Sequence, residues 1–324
     1  MGTKEHGITL LGFDLSGFDR KLVLGCSIFV SFFSLLAYAL LQEKLVKVDG
    51  LNNSWFLLFF SSFFFCVAAL LDPKARATLF SENFFQIFFD LAPIGFALCI
   101  ERGLRNLALQ QLDFVTLVIC QSAKAIPVLF IGKFMFNRSF SFLHYLNALC
   151  VAASISIISL ADSQNSGTFS ALGVVLILSS VTAEALKAVF SEVKVKNAGY
   201  SPCTVILWSN LTGFLLAFPI CIMNDSLVEG VKFLEEKPSV IFTLVIYCAG
   251  GFFGTLANVL IMALADAYLC TIQGSLRKTV IILISAIRSG KEMVLMHYLG
   301  IMLSIGALFM TTLLKKNTSN KKTE

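Results

Sequence analysis

A lysine lies in the middle of an apolar run, Phe114–Phe136, that is long enough to cross a bilayer. Around it the segment Gln121–Val128 reads QSAKAIPV. A charge at that depth costs about 2.5–3.5 kcal/mol on insertion scales, so an ionisable group such as Lys124 is a functional candidate by default. Pro127 follows one helical turn later. Proline removes a backbone donor and tends to kink a helix, which opens polar backbone toward a cavity. The competing account is a lysine that snorkels to an interface. Against it, the run continues for about 10 residues on either side.

The same stretch recurs later in the chain. A shift of 153 positions lays Asp113–Leu160 on Asp266–Leu313 without a gap. Asp113 meets Asp266, Ser122 meets Ser275, Lys124 meets Arg277, and His144-Tyr145-Leu146 meets His297-Tyr298-Leu299. Only 8 of the 48 pairs are identical, but they include a three-residue polar-aromatic block, and the two intramembrane charges coincide. The pattern predicts an internal repeat in which Lys124 and Arg277-Lys278 are symmetry mates.

The elements that carry these residues follow from composition. The chain has 324 residues, 57% apolar and 14% charged, with a mean hydropathy of +0.83. No soluble domain needs that much apolar surface, so the expected class is an all-α, polytopic membrane protein. A net charge of +5, scattered along the chain, argues against nucleic-acid binding. The nine cysteines form neither a CxxC nor a Cys/His cluster and read as reduced thiols packing like small hydrophobes. No metal or cofactor is expected.

Ten apolar spans are predicted, near residues 22–41, 55–71, 84–100, 114–136, 142–160, 169–190, 204–223, 240–264, 268–287 and 294–314, the third and sixth continuing beyond those limits as helix. An even number puts both termini on one side. Thirteen Lys and Arg residues then fall in segments on that side and eight in the opposite loops, which favours cytosolic termini. Because the fourth span pairs with the ninth and the fifth with the tenth, each half holds five spans and the halves are inverted. That architecture is common among secondary transporters, with the site near the midplane where the halves meet. The expected organisation is a cytosolic tail at 1–21, a first five-helix repeat at 22–160, a polar linker at 161–168, a second five-helix repeat at 169–314 and a cytosolic tail at 315–324.

Other polar residues leave alternatives open. Glu43 closes the first span, as an interfacial charge or a cavity residue. Asp90 is a helix-packing partner or part of a translocation path. Glu184 and Lys187, three apart on one helical face, read first as a self-neutralising pair. Gly250, Gly251 and Gly254 suit close helix approach. Lys321-Lys322 in KKTE matches a dilysine retrieval signal, read by coat machinery.

The motifs QSAKAIPV and SLRKTVIILIS resemble those that mark the nucleotide-sugar transporters of the drug/metabolite transporter superfamily. LLQEKLVKVDG resembles the LQE segment of the branch carrying UDP-sugars, adenosine 3′-phosphate 5′-phosphosulfate (PAPS) and ATP/ADP, and ISLADS is most similar to its PAPS carriers. The resemblance implies a nucleotide-conjugate antiporter of the endoplasmic reticulum or Golgi, with a nucleoside phosphate as counter-substrate. It implies phosphate binding by Lys124, Arg277 and Lys278, with Gln121, Ser122, Ser275 and Glu43 in the site. Gln121 stands where the family often has a second lysine, which removes one cation and weighs against the most highly charged substrates. The rival class, a multispan membrane transferase, calls for grouped carboxylates or a catalytic histidine, and neither is evident. A homodimer is left open.

Overall fold

The computed structural model describes residues 9–10, 13–14, 17–45, 49–51, 53–112, 121, 124–136, 140–163, 170–288 and, toward the C-terminus, 295–296, 298–300, 302–303, 306 and 310. A two-residue antiparallel ladder, β1 (Thr9–Leu10) with β2 (Phe13–Asp14), precedes the first helix. All other regular structure among the described residues is helical. Among the described residues five helices are long and apolar enough to cross a membrane, or six if one bent pair counts as a single span. The protein is therefore a multi-pass membrane protein. The tenth predicted span lies largely outside the described residues.

The chain divides into two compact units. The first comprises Met1–Gly103 and Phe190–Asp266, the second Leu104–Val189 and Ala267–Glu324. The first holds α1 (Arg20–Glu43), α2 (Ser54–Ala69), α3 (Pro73–Leu79), most of α4 (Phe84–Gln111), the end of α7 (Ala171–Asn197), α8 (Pro202–Met223), α9 (Ser226–Glu236) and α10 (Ser239–Leu264). The second holds the end of α4, α5 (Ala125–Phe136), α6 (Phe142–Ser163), most of α7, and α11 (Ala267–Arg288). Both α4 and α7 overrun their apolar spans as helix, as the sequence predicts.

Helix starts in the first unit follow capping chemistry. Asp19 accepts from Lys21 N at 3.0 Å, Asn53 from Phe56 N at 3.2 Å, and Ser201 from Thr204 N at 3.1 Å. Each satisfies a backbone donor that has no partner inside its own helix. Asp72, fully buried, caps Ala75 N at 3.2 Å and also accepts from the Ser201 hydroxyl at 3.2 Å. Pro73 and Pro202 stand at the first helical positions, where a missing N–H costs nothing. The Asp72-Pro73 pair starts α3 after a bend of 107° from α2, a turn that the apolar run alone conceals.

Helix α10 packs closely on α1. A Cβ on Gly251 meets the Tyr38 ring at 2.7 Å and Phe65 at 2.9 Å, so only glycine permits the approach. Beside it Tyr38 and Tyr247 stack with centroids 4.4 Å apart, and their hydroxyls are 2.8 Å apart. Asp90 is a packing partner here: it accepts from Lys194 at 2.5 Å and from the Tyr200 hydroxyl at 3.2 Å. Burial, then the charge of Asp90 and the bond to it, hold the Tyr200 phenol above its ordinary pKa. The carbonyls at the end of α10 are capped by cations, Leu264 by Arg20 at 2.8 Å and Ala265 by Lys196. Arg102 lies within α4, past the apolar span. It donates to Ser61 Oγ at 3.3 Å and sits 5.6 Å from the Phe65 ring centroid.

In the second unit two small cores form. Ala108 and Leu112 of α4 pack on Ile177 and Val181 of α7. Leu129 of α5 and Ala148 of α6 pack on Tyr268 and Ile272 of α11. Asn147, buried on α6, donates to the Tyr268 hydroxyl at 3.1 Å.

Candidate functional site

The sequence predicts one continuous span through Lys124, kinked at Pro127. The structure differs. Gln121 is helical, the chain turns at Lys124, and α5 begins at Ala125. Lys124 N donates to Gln121 O at 3.4 Å, and Val128 N donates to Lys124 O at 3.2 Å. Pro127 thus falls in the first turn of α5, where its absent N–H and fixed φ are tolerated, and it marks a helix start instead of a kink. Lys124 therefore sits beside the positive end of a helix. Cation and helix terminus both favour an anion, so the position suits phosphate.

The Lys124 ammonium does not stand alone. Its Nζ lies 2.8 Å from Glu184 Oε1, with the side chains 14% and 22% exposed. Glu184 comes from α7, 60 residues away. Glu184, read from spacing as a partner of Lys187, thus has a longer-range partner in Lys124. Arg277, from α11, belongs to the same compact unit as this pair. Its Nη1 is buried and has no hydrogen-bond partner among the described residues. The two cations that the 153-residue shift aligns, Lys124 and Arg277, therefore fall within one compact unit, the first of them on a carboxylate.

The remaining predicted residues divide. Gln121 lies one turn before Lys124 and is partly buried. Ser275 and Lys278 belong to α11 and Glu43 ends α1, but their side chains are outside the described residues, as is Ser122 altogether. Lys321 and Lys322 are also outside them. His144 opens α6 with its ring 5.5 Å from that of Tyr268, an anchoring position. Sequence reasoning passed over Glu184 as a partner of Lys124. Its signal was an acid in the middle of an apolar helix.

A helical membrane protein with an internal lysine on a carboxylate, and an arginine with a buried donor in the same compact unit, has the makings of a carrier for anions. Most of the chain matches carriers. The model of the UAA transporter family matches residues 22–315, and the chain belongs to that family. The relatives named adenosine 3′-phospho 5′-phosphosulfate transporter 2 include one from Drosophila melanogaster, 23% identical over 96% of this chain and 81% of its own. Those from Pongo abelii and Caenorhabditis elegans are 24% and 23% identical, over 92% and 96% of this chain and 76% and 85% of theirs. The family and these relatives are transporters, not enzymes. A solved structure titled only as a crystal structure of a protein aligns with a TM-score of 0.64 and 15% identity. It covers 93% of this chain and 99% of its own, and the likeness is one of fold alone.

Proposed function

We propose that this chain is a secondary antiporter that carries a nucleotide conjugate from the cytosol into the lumen of the endoplasmic reticulum or Golgi in exchange for a nucleoside phosphate. The lead substrate is PAPS, with a UDP-sugar or ATP/ADP as the alternatives within the same family. The observation that carries the reading is the Lys124–Glu184 pair in the compact unit that also holds Arg277 with a buried donor. Two cations in a region shielded from water require anionic company, and a nucleotide phosphate supplies it. Arg277 offers a planar fork for bidentate contact, while Lys124 acts as a mobile point charge. Lys278, Gln121, Ser122 and Ser275 complete the proposed site. Relatives named for PAPS transport support the substrate, whereas Gln121, in place of a cation, weighs toward a less charged one.

Exchange follows from the same electrostatics. A loaded site is compensated, and an empty one leaves positive charge uncovered, so return without a counter-substrate is slow. Ten spans in two inverted repeats, with both termini cytosolic, belong to this reading and are supported by the repeat and by the bias of cations toward one side. The Lys321-Lys322 pair serves as the retrieval signal; its replacement by serine moves the protein to later Golgi membranes, and unchanged reticular localisation would remove that role. The function itself is tested by a substrate panel in proteoliposomes, which should find rapid exchange of unaltered label for at least one nucleotide conjugate. Chemical conversion of the label would favour a transferase.

A further inference from the structure

We propose that Glu184 is an internal counter-anion of the substrate site: it holds Lys124 when the site is unloaded and yields that lysine to the incoming phosphate. The inference rests on reading Lys124 and Arg277 as phosphate ligands. Four features converge on it. The Glu184 carboxylate is at hydrogen-bond distance from Lys124, at 2.8 Å. Both side chains are mostly, not fully, buried, so the pair is shielded from water yet within reach of a solute. The carboxylate comes from a different helix than either cation, so α7 can release Lys124 without unmaking α5 or α11. Arg277, in the same compact unit, keeps a buried Nη1 donor that no described residue, Glu184 included, satisfies.

The charge balance gives Glu184 its task. Lys124 and Arg277 bring two positive charges to the proposed site and Glu184 one negative charge, in surroundings where screening is weak. A nucleotide phosphate carries at least two negative charges and several acceptor oxygens. It can bridge Lys124 and Arg277 together, which one carboxylate paired to Lys124 does not. Displacing Glu184 is therefore favourable for a phosphate and unfavourable for a mono-anion. Two consequences follow. Glu184 competes with the substrate, which weakens binding and assists release on the far side. It also lowers the cost of moving an empty site, so it sets how strictly inward movement depends on a counter-substrate.

The test compares Glu184→Gln with the wild-type chain in two assays. In the first, inorganic pyrophosphate protects the purified protein against thermal unfolding. The variant should bind pyrophosphate about tenfold more tightly, the factor that about 1.4 kcal/mol of differential binding produces. Inorganic sulfate, a smaller dianion that spans the two cations poorly, should gain less. In the second, proteoliposomes take up labelled PAPS with or without internal nucleotide. The variant should show a lower half-saturation concentration and a larger ratio of exchange to net uptake. Should Glu184→Gln not fold, Glu184→Asp carries the test, because its shorter reach loosens the hold on Lys124; pyrophosphate should then tighten about threefold. Unchanged or weaker pyrophosphate binding in the variant that folds overturns the inference, whatever the transport result. Tighter binding with no exchange of any nucleotide by the wild-type chain supports the counter-anion and overturns the antiporter reading instead.

Discussion

Lys124 and Arg277 are aligned by the 153-residue shift but held differently. Lys124 has a carboxylate at 2.8 Å, and Arg277 has a buried nitrogen with no partner among the described residues. Truncating either removes positive charge that the substrate phosphate needs, so Lys124→Ala and Arg277→Ala should each abolish exchange while expression and topology persist. Lys124→Ala also strands Glu184, and breaking a buried pair by removing one partner costs about 3–5 kcal/mol. At 14% and 22% exposure the cost here falls below that range, and Lys124→Ala should lower the melting temperature in detergent more than Arg277→Ala does. Near wild-type transport by either variant removes that residue from the site. Lys278→Ala is expected to be severe too, although residues 277 and 278 point about 100° apart on a helix. Gln121→Lys should favour PAPS or ATP over a UDP-sugar by about tenfold in competition assays, a factor worth about 1.4 kcal/mol. An unchanged ratio of half-inhibition values would show that Gln121 does not touch the phosphate. At this scale Lys124 was legible because a charge in an apolar run announces itself. Its partner was not, because Glu184 lies 60 residues away and local spacing pointed to Lys187.

Among the elements, the apolar length of a span was readable and its interruptions were not. Hydropathy carries no information on where a helix starts within a run, yet the capping residues do. Asp72-Pro73 and Ser201-Pro202 are both plain helix-start signals, and the first of them turns α2 into α3 by 107°. Pro127 is a third, since α5 starts two residues before it. The glycines of α10 were read correctly as sites of close approach, because a residue without a side chain in an apolar helix has few other uses there. Gly251→Val should therefore destabilise the protein, with its Cβ driven against Tyr38 and Phe65. Overpacking of this kind costs about 1–3 kcal/mol, and thermal unfolding in detergent should register a lower midpoint. An unchanged midpoint would mean that α1 and α10 yield without strain. Asp72→Ala should also destabilise, since it removes the cap of α3 and the acceptor of Ser201 together. A lost cap alone costs about 0.5–2 kcal/mol.

For the whole molecule, the sequence made the class plain, because 57% apolar residues in long runs admit no soluble fold. The two compact units are another matter. Each gathers two segments far apart in the chain, and hydropathy is silent on which helices pack together. The repeat is informative at this scale, because it pairs two cations that the fold gathers into one unit. Transport by exchange is the central claim, and its most direct test is counterflow. Purified protein is placed in sealed liposomes, with or without internal nucleoside phosphate, and the initial entry of external labelled PAPS is timed, with a labelled UDP-sugar and ATP run in parallel. The account predicts that internal nucleotide strongly accelerates entry of at least one of these unaltered labels, and that Lys124→Ala abolishes the acceleration. Equal entry into loaded and empty vesicles, or acceleration that survives in Lys124→Ala, would contradict it.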